Sequence, residues 1–339
     1  MTRTKRTHRN VLLWTPALIL LIVTIVLRVG GDLWWPVLPF LFGPRWPWAF
    51  VLAPLVLVAM RDARSALVPL SVGLLILGYG VLGFRIGLER LAAGDGRAIR
   101  IMTYNVARNS DAMRNTVKAL ASLGVDVAMI VECPSAADSL APTGWTMRAA
   151  DEICVFSRLP ILSWIPHPRL GRWRPDGNDA AARLVIDGGD LGRVTLGVVH
   201  LETARDALSQ FFDISAIFQR AAVVDSQTTV RRNESAAISR WIGYDTATPM
   251  IVTGDFNLTV ESRIYRRYWS RYRNAFDHAG IGTGHTWRTR WHGVRIDHIL
   301  FNERVQVRRA FIGPDLGSDH RPLVADLVIP GGQRTTVAR

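Results

Sequence analysis

Five short polar clusters follow one another in the chain: Thr-Tyr-Asn at 103–105, Val-Glu at 131–132, Gly-Asp-Phe-Asn at 254–257, Arg-Ile-Asp-His at 295–298 and Gly-Ser-Asp-His at 317–320. Each lies by a short apolar run, where a strand would deliver polar side chains to one edge of a sheet. Carboxylates, amides and imidazoles gathered in this way suit metal-assisted hydrolysis of a phosphate ester. Glu132 is a candidate ligand for a hard cation such as Mg²⁺, which prefers oxygen donors. Asp255 and Asn257 stand two residues apart after an apolar strand, so both are expected on one face, with Phe256 turned into packing. Gly254 permits a close backbone approach. Asp297 beside an imidazole would fix its tautomer and favour its protonated form. Asp319 and His320 pair a carboxylate with an imidazole ahead of the last strand. Taken singly, Glu132 reads as an exposed residue past a strand, Asn105 as a turn residue and His200 as a half-buried histidine; the ordered set carries the chemistry.

The elements that must hold these groups are short. Apolar runs predict strands at 99–104, 125–131, 152–156, 182–186, 193–200, 249–254, 295–301 and 323–328. A helix is expected over 111–123, with Met113, Val117, Leu120 and Leu123 on one face, and a mostly helical stretch over 209–241. Many short strands with helices between only some of them indicate a layered α/β domain of mixed sheets rather than a doubly wound fold.

The first hundred residues differ in kind. They hold 12 Lys/Arg and 4 Asp/Glu, a surplus of +8 out of the whole chain's +13. The high charge therefore sits mostly at membrane-flanking positions and argues little for nucleic-acid binding. Uncharged stretches at 11–27 and 66–84 are each long enough for a transmembrane helix. A third span is expected over about 46–60, preceded by an interfacial or re-entrant piece at 33–42 that contains Pro36 and Pro39. Trp34, Trp35, Trp46 and Trp48 cluster there as an aromatic belt would. No small-residue cleavage site follows the first stretch, so it reads as an anchor rather than a signal peptide. Four basic residues in the N-terminal tail, with Arg61 and Arg64 in the next turn on that side, are expected to be cytoplasmic. Three spans then place the globular part outside the cytoplasm. The expected organisation is a basic tail at 1–10, an anchor at 11–84, a connector at 85–98, a catalytic domain at 99–329 and a loose tail at 330–339. Two cysteines, Cys133 and Cys154, exclude a disulfide framework and leave one bridge or two free thiols open.

The Gly-Asp-Phe-Asn and Ser-Asp-His motifs, with the order and spacing of the whole set, resemble the endonuclease/exonuclease/phosphatase superfamily over about residues 99–329. That resemblance implies a four-layered α/β (α+β) sandwich, with two packed mixed sheets flanked by helices. It also implies a Mg²⁺-dependent (or Mn²⁺-dependent) phosphoesterase. By position, Glu132 resembles the metal ligand, with Asn105 and Asp319 near the metal and phosphate. Asp255 resembles the group that orients or deprotonates the attacking water. Asn257 and His200 resemble phosphate contacts, and His320, supported by Asp297, the imidazole of the transition state. The sequence departs from the family in having Val131 before the metal glutamate, and it lacks recognisable basic, aromatic DNA-binding insertions. Arg172, Arg174, Arg231 and Arg232 are candidates for a substrate phosphate or lipid headgroups, or are solvated surface arginines. The anchored layout is similar to that of membrane-bound bacterial members, the VanJ-type proteins. The expected partners are therefore the bilayer and a lipid-linked phosphate or pyrophosphate. An extracytoplasmic nuclease and a non-catalytic envelope protein with a decayed site are the alternatives.

Overall fold

The computed structural model describes residues 3–92, 94, 96–134, 140–167, 181–205, 208 and 220–330. Arg172, Arg174, the segment 209–219 and the tail from 331 lie outside them.

Two six-stranded mixed sheets pack face to face. The first runs Gln306–Ile312, Leu323–Val328, Ala98–Asn105, Val127–Val131, Ile153–Ser157 and Thr146–Ala150. The second runs Arg273–Asn274, Asp297–Phe301, Met250–Asp255, Arg193–His200, Ala181–Asp187 and Ile161–Pro166. Each sheet has one parallel pair at its centre: Ala98–Asn105 with Val127–Val131, and Arg193–His200 with Met250–Asp255. All other pairings within the two sheets are antiparallel.

Strand alternation divides the apolar residues between two jobs. Ile99, Ile101, Val127, Met129, Leu196, Val198, Ile251 and Ile299 fill the space between the sheets. Met102, Tyr104, Ala128 and Ile130 face outward and pack under the helix Ser110–Ser122 through Ala112, Met113 and Leu120. On the opposite side, Val199, Val252 and Leu300 pack with Ile238 and Ile242 of the helix Arg220–Ile242. The result is four layers: helix, sheet, sheet, helix.

Strands at Thr146–Ala150, Ile161–Pro166 and Gln306–Ile312 join those the apolar runs predict. The last has a register shift between Val307 and Arg309, which breaks the alternation a sequence pattern depends on. The connector also takes part in the fold, because Arg85–Ile86 pairs with Ile281–Gly282.

The N-terminal part has two helices long and apolar enough to cross a membrane, Arg9–Val29 and Ala63–Val81, with mean hydropathy 2.4 and 1.5. Between them, Trp35–Phe42 and Trp46–Arg61 form a pair bent by 96°, either a broken span or a re-entrant loop. Leu12, Ile22, Leu57, Leu67 and Leu75 are exposed on these elements. Arg9 and Asp62 form an ion pair at 3.6 Å, which brings the basic tail and the Arg61–Arg64 turn to one end. The other end carries the sandwich: Arg45 pairs with Glu261 at 3.2 Å, and buried Asp32 binds the start of the helix Arg263–Tyr268.

Candidate active site

The side chains expected to do chemistry continue the core's own rows. Asn105 follows Ile99 and Ile101 on the inward face of its strand. His200 follows Leu196 and Val198, Asp255 follows Ile251, and Asp297 precedes Ile299. Register then brings them together, since Asp255 is the cross-strand partner of both His200 and Asp297. The site is therefore the polar mouth of the space whose interior is the hydrophobic core.

Gly254 makes this mouth possible. Its φ is +135°, and a Cβ there would lie 1.8 Å from the carbonyl oxygen of Val199. No L side chain fits so close an approach.

Asn105 ties the two sheets together. Its Oδ1 accepts from Ala107 N at 2.8 Å, which fixes the amide's orientation. Its Nδ2 then donates to Glu132 Oε1 at 2.9 Å and to Asp255 Oδ2 at 3.0 Å. Glu132 stands just past its strand with φ +52°, an uncommon left-handed position for a side chain that is not glycine. Burial would raise its carboxyl. The His200 hydrogen bond and charge, with help from Asn105 and Arg108, outweigh that and hold it down to about 2. Glu132 is thus ionised and partly open to solvent.

His200 lies between two carboxylates, with Nε2 3.4 Å from Glu132 Oε1 and Nδ1 3.7 Å from Glu152 Oε2. Glu152 in turn pairs with Arg108. Sequence reasoning assigned no role to Arg108 or Glu152. They follow a strand end and precede a strand start, and only cross-strand neighbours reveal their contact.

His320 Nδ1 and Asp297 Oδ2 are 2.8 Å apart, the pairing expected from the two Asp-His motifs. Its Nε2 is 3.8 Å from Asp255 Oδ2. Burial would lower the imidazole's affinity for a proton, but the charge and hydrogen bond of Asp297, then Asp255 and Asp319, push it up to about 9. The Asp255 carboxyl is raised by burial and by the Asp297 charge. Asp319 is 42% exposed and accepts from Trp287 Nε1 at 3.0 Å. Ser318 Oγ donates to the Asn105 carbonyl at 2.9 Å, which draws this loop to the first sheet.

Asn257 lies beyond the strand, so the i, i+2 spacing does not place its side chain. The chain leaves its strand at Asp255, and Asn257 takes φ +49°. Its backbone N–H donates to Asp255 Oδ1 at 2.8 Å and its side-chain amide to the Leu201 carbonyl at 2.8 Å. Phe256 packs edge-on against Trp269, as expected of a residue turned into the core. Arg231 is not a surface arginine. It is 2% exposed and donates to the Asn257 carbonyl at 2.6 Å, whereas Arg232 is exposed.

The donor set suits a hard divalent cation. Asp255, Asp297 and His320 offer ligand atoms within 4.8 Å of one another, and Asp297 Oδ1 is buried without a hydrogen-bond partner among the described residues. His320, bound to Asp297 and favouring its proton, is a poor member of that set because a ligating imidazole must be neutral. Ionised, accessible Glu132, with Asn105 beside it, fits oxygen-only coordination better.

Residues 102–320 match the Endonuclease/Exonuclease/phosphatase family, so the chain belongs to it. It is a hydrolase of the phosphodiesterase, nuclease and phosphatase kind. Among solved structures, it is similar to an endonuclease/exonuclease/phosphatase from Beutenbergia cavernae, with TM-score 0.52 and 17% identity over 70% of this chain and 72% of that one. A Bacteroides vulgatus endonuclease/exonuclease/phosphatase gives TM-score 0.51 and 16% identity over 68% and 99%. D. rerio TDP2 complexed with single strand DNA product gives TM-score 0.51 and 14% identity over 68% and 98%. At these identities the likeness shows the fold alone. No curated protein matches the sequence.

Proposed function

We propose that the chain is a membrane-anchored, divalent-metal-dependent phosphoesterase acting outside the cytoplasm on a lipid-linked phosphate or pyrophosphate. The observation that carries this reading is the direct seating of the sandwich on the apolar helices. Asp32 Oδ2 accepts from Ser262 Oγ at 2.5 Å and its Oδ1 from Arg263 N at 3.0 Å. A mouth held so close to a bilayer meets lipid substrates at raised effective concentration. The end opposite the sandwich carries Arg9 next to Asp62, with Arg61 and Arg64 beside it, and such basic residues favour the cytoplasmic side. The Cys133–Cys154 disulfide, which resolves the alternatives the sequence left open, supports an oxidising compartment for the sandwich.

In the mechanism, Glu132 with Asn105 and Asp319 would hold Mg²⁺ or Mn²⁺. When bound, the ion supplies Lewis-acid polarisation of a phosphoryl oxygen. Asp255, with its proton affinity raised, orients the attacking water and accepts its proton. Asn105 keeps the Asp255 carboxylate in place. Protonated His320, anchored through Nδ1 by Asp297, directs Nε2 at charge developing on phosphoryl oxygen. His200 and the loop at Asn257 complete the phosphate's surroundings.

The test is hydrolysis by the full-length chain, with Mg²⁺ or EDTA, of lipid diphosphates and phosphoinositides (read as phosphate release), of sphingomyelin (read as phosphocholine release) and of plasmid DNA (read as nicking). Preference for a lipid diphosphate supports the reading. Preferential nicking of DNA, falling steeply with salt, would replace it with the nuclease alternative. No metal-dependent hydrolysis of any substrate would leave the decayed-site alternative.

A further inference from the structure

A cavity of about 440 Å³ opens between the N-terminal helical part and the sandwich. Neither the carboxylates nor the imidazoles of the candidate active site line it. Three arginines do, Arg45, Arg288 and Arg295, against one acid, Glu261. Arg45 is paired with Glu261 and Arg295 with Asp277. Arg288 has no acidic partner among the described residues; its Nε only approaches the His285 carbonyl at 3.5 Å. Arg295 Nη1 is buried without a hydrogen-bond partner among the described residues. The cavity wall therefore carries a net positive charge and, in exposed Arg288, a guanidinium that no described acid neutralises.

His285, also on this wall, reports the same field. Burial, then the charges of Arg288, Arg45 and Arg295, hold its imidazole down to about 4, so it stays neutral beside them. The rim is aromatic: Trp46 is 52% and Trp291 72% exposed. Trp46 opens the second arm of the bent apolar pair, where an indole suits the headgroup level of a bilayer.

We propose that this cavity is a non-catalytic site for the phosphate of an anionic bilayer lipid headgroup. Guanidinium groups match phosphate geometry, and the volume admits a phosphate with its glycerol. A free phosphate ion shares the charge but gains nothing from the tryptophan rim. The site rests on the reading that the chain spans a bilayer, and not on which bond the active site cleaves. A bound headgroup would also steady the Trp287–Arg288 hairpin strand, whose indole holds Asp319.

The experiment uses the full-length chain in neutral detergent with EDTA, so that nothing turns over. Thermal unfolding is followed against dihexanoylphosphatidic acid, dihexanoylphosphatidylcholine and inorganic phosphate. Phosphatidic acid is expected to raise Tm saturably, phosphatidylcholine to leave it unchanged, and inorganic phosphate to need at least about ten times the concentration. Arg288→Gln, at an exposed position, should keep the unliganded Tm and raise the half-saturating phosphatidic acid concentration about tenfold. Absence of a saturable shift, or an unchanged half-saturation in Arg288→Gln, overturns the site. Equal saturation by inorganic phosphate overturns the lipid as its ligand. Mg²⁺-dependent hydrolysis measured on the same preparation separates the two ideas. Hydrolysis without lipid binding removes only this site, and lipid binding without hydrolysis removes only the proposed function.

Discussion

The buried guanidinium of Arg231 holds the backbone carbonyl of Asn257 at 2.6 Å, just where the chain turns left-handed at the edge of the candidate active site. Burial weakens the hold of Arg231 on its proton, and the charges of Asp32, Glu202 and Glu234 offset only part of that loss. Asp32 belongs to the N-terminal helical part, and Phe42 of the same part lies against the guanidinium, 5.6 Å from ring centroid to Cζ. The loop after the strand that carries Asp255 is thus supported by a cation that the N-terminal helical part helps to neutralise. Arg231→Met should destabilise the protein by about 3–5 kcal/mol, because buried acids lose their counter-charge. Chemical denaturation of the full chain measures it; a loss under 1 kcal/mol would mean that solvent, not Arg231, satisfies these groups.

Glu261 predicts a pH dependence at the same junction. Burial would raise its carboxyl, but the charge and hydrogen bonds of Arg45 hold it down to about 2, against an ordinary 4.5. A carboxyl depressed in the folded state contributes stability above its unfolded pKa, and that stability is lost as pH falls from about 4.5 towards 2. The full contribution is at most about 3 kcal/mol. Wild type minus Glu261→Gln, melted across this window, should give a difference that shrinks with acid. A difference independent of pH would show that the pair carries no such linkage.

The Cys133–Cys154 disulfide adjoins Glu132 and closes a sequence separation of 21 residues. Reduction should cost about 3 kcal/mol of stability, chiefly by freeing the unfolded chain. Labelling of free thiols in the native and reduced protein checks that the bridge exists, and melting with and without reductant gives its worth. Quantitative labelling of both thiols in protein isolated without reductant would contradict the bridge.

Much of this arrangement was legible in the sequence. Alternation marked the central strands, and the polar residues ending their inward rows are the ones the fold gathers at the candidate site. What escaped notice depends on distant partners or short elements. Arg231 stands beside Arg232 in a helix and reads as a solvated charge; the groups around its guanidinium, among them Phe42 and Asp32, lie far away in the sequence. Glu152 sits in a turn after Asp151, and nothing local points it at Arg108 and His200. Two-residue strands such as Arg85–Ile86 are too short to show a period. Asn257 falls outside the i, i+2 rule because the strand stops at Asp255, and a face rule ends where the strand does.

Gly254→Ala tests the close approach behind that turn. A methyl group 1.8 Å from the Val199 oxygen forces the two central strands of the second sheet apart. The variant should lose most cooperative unfolding of the sandwich, which near-ultraviolet dichroism would register. A native-like spectrum and melt would show that the strands can separate at little cost.

The central claim is that Asp255 and the Asp297-supported His320 hydrolyse a phosphoester with help from a divalent cation. Its most direct test is Mg²⁺-dependent phosphate release from a lipid diphosphate by the full-length wild type, Asp255→Ala and His320→Ala, each with an EDTA control. The account predicts release by wild type, its loss in EDTA, and a fall of about 10²–10³ in either variant, with folding unchanged by melting. Full activity in either variant, or wild-type turnover that survives EDTA, would contradict it.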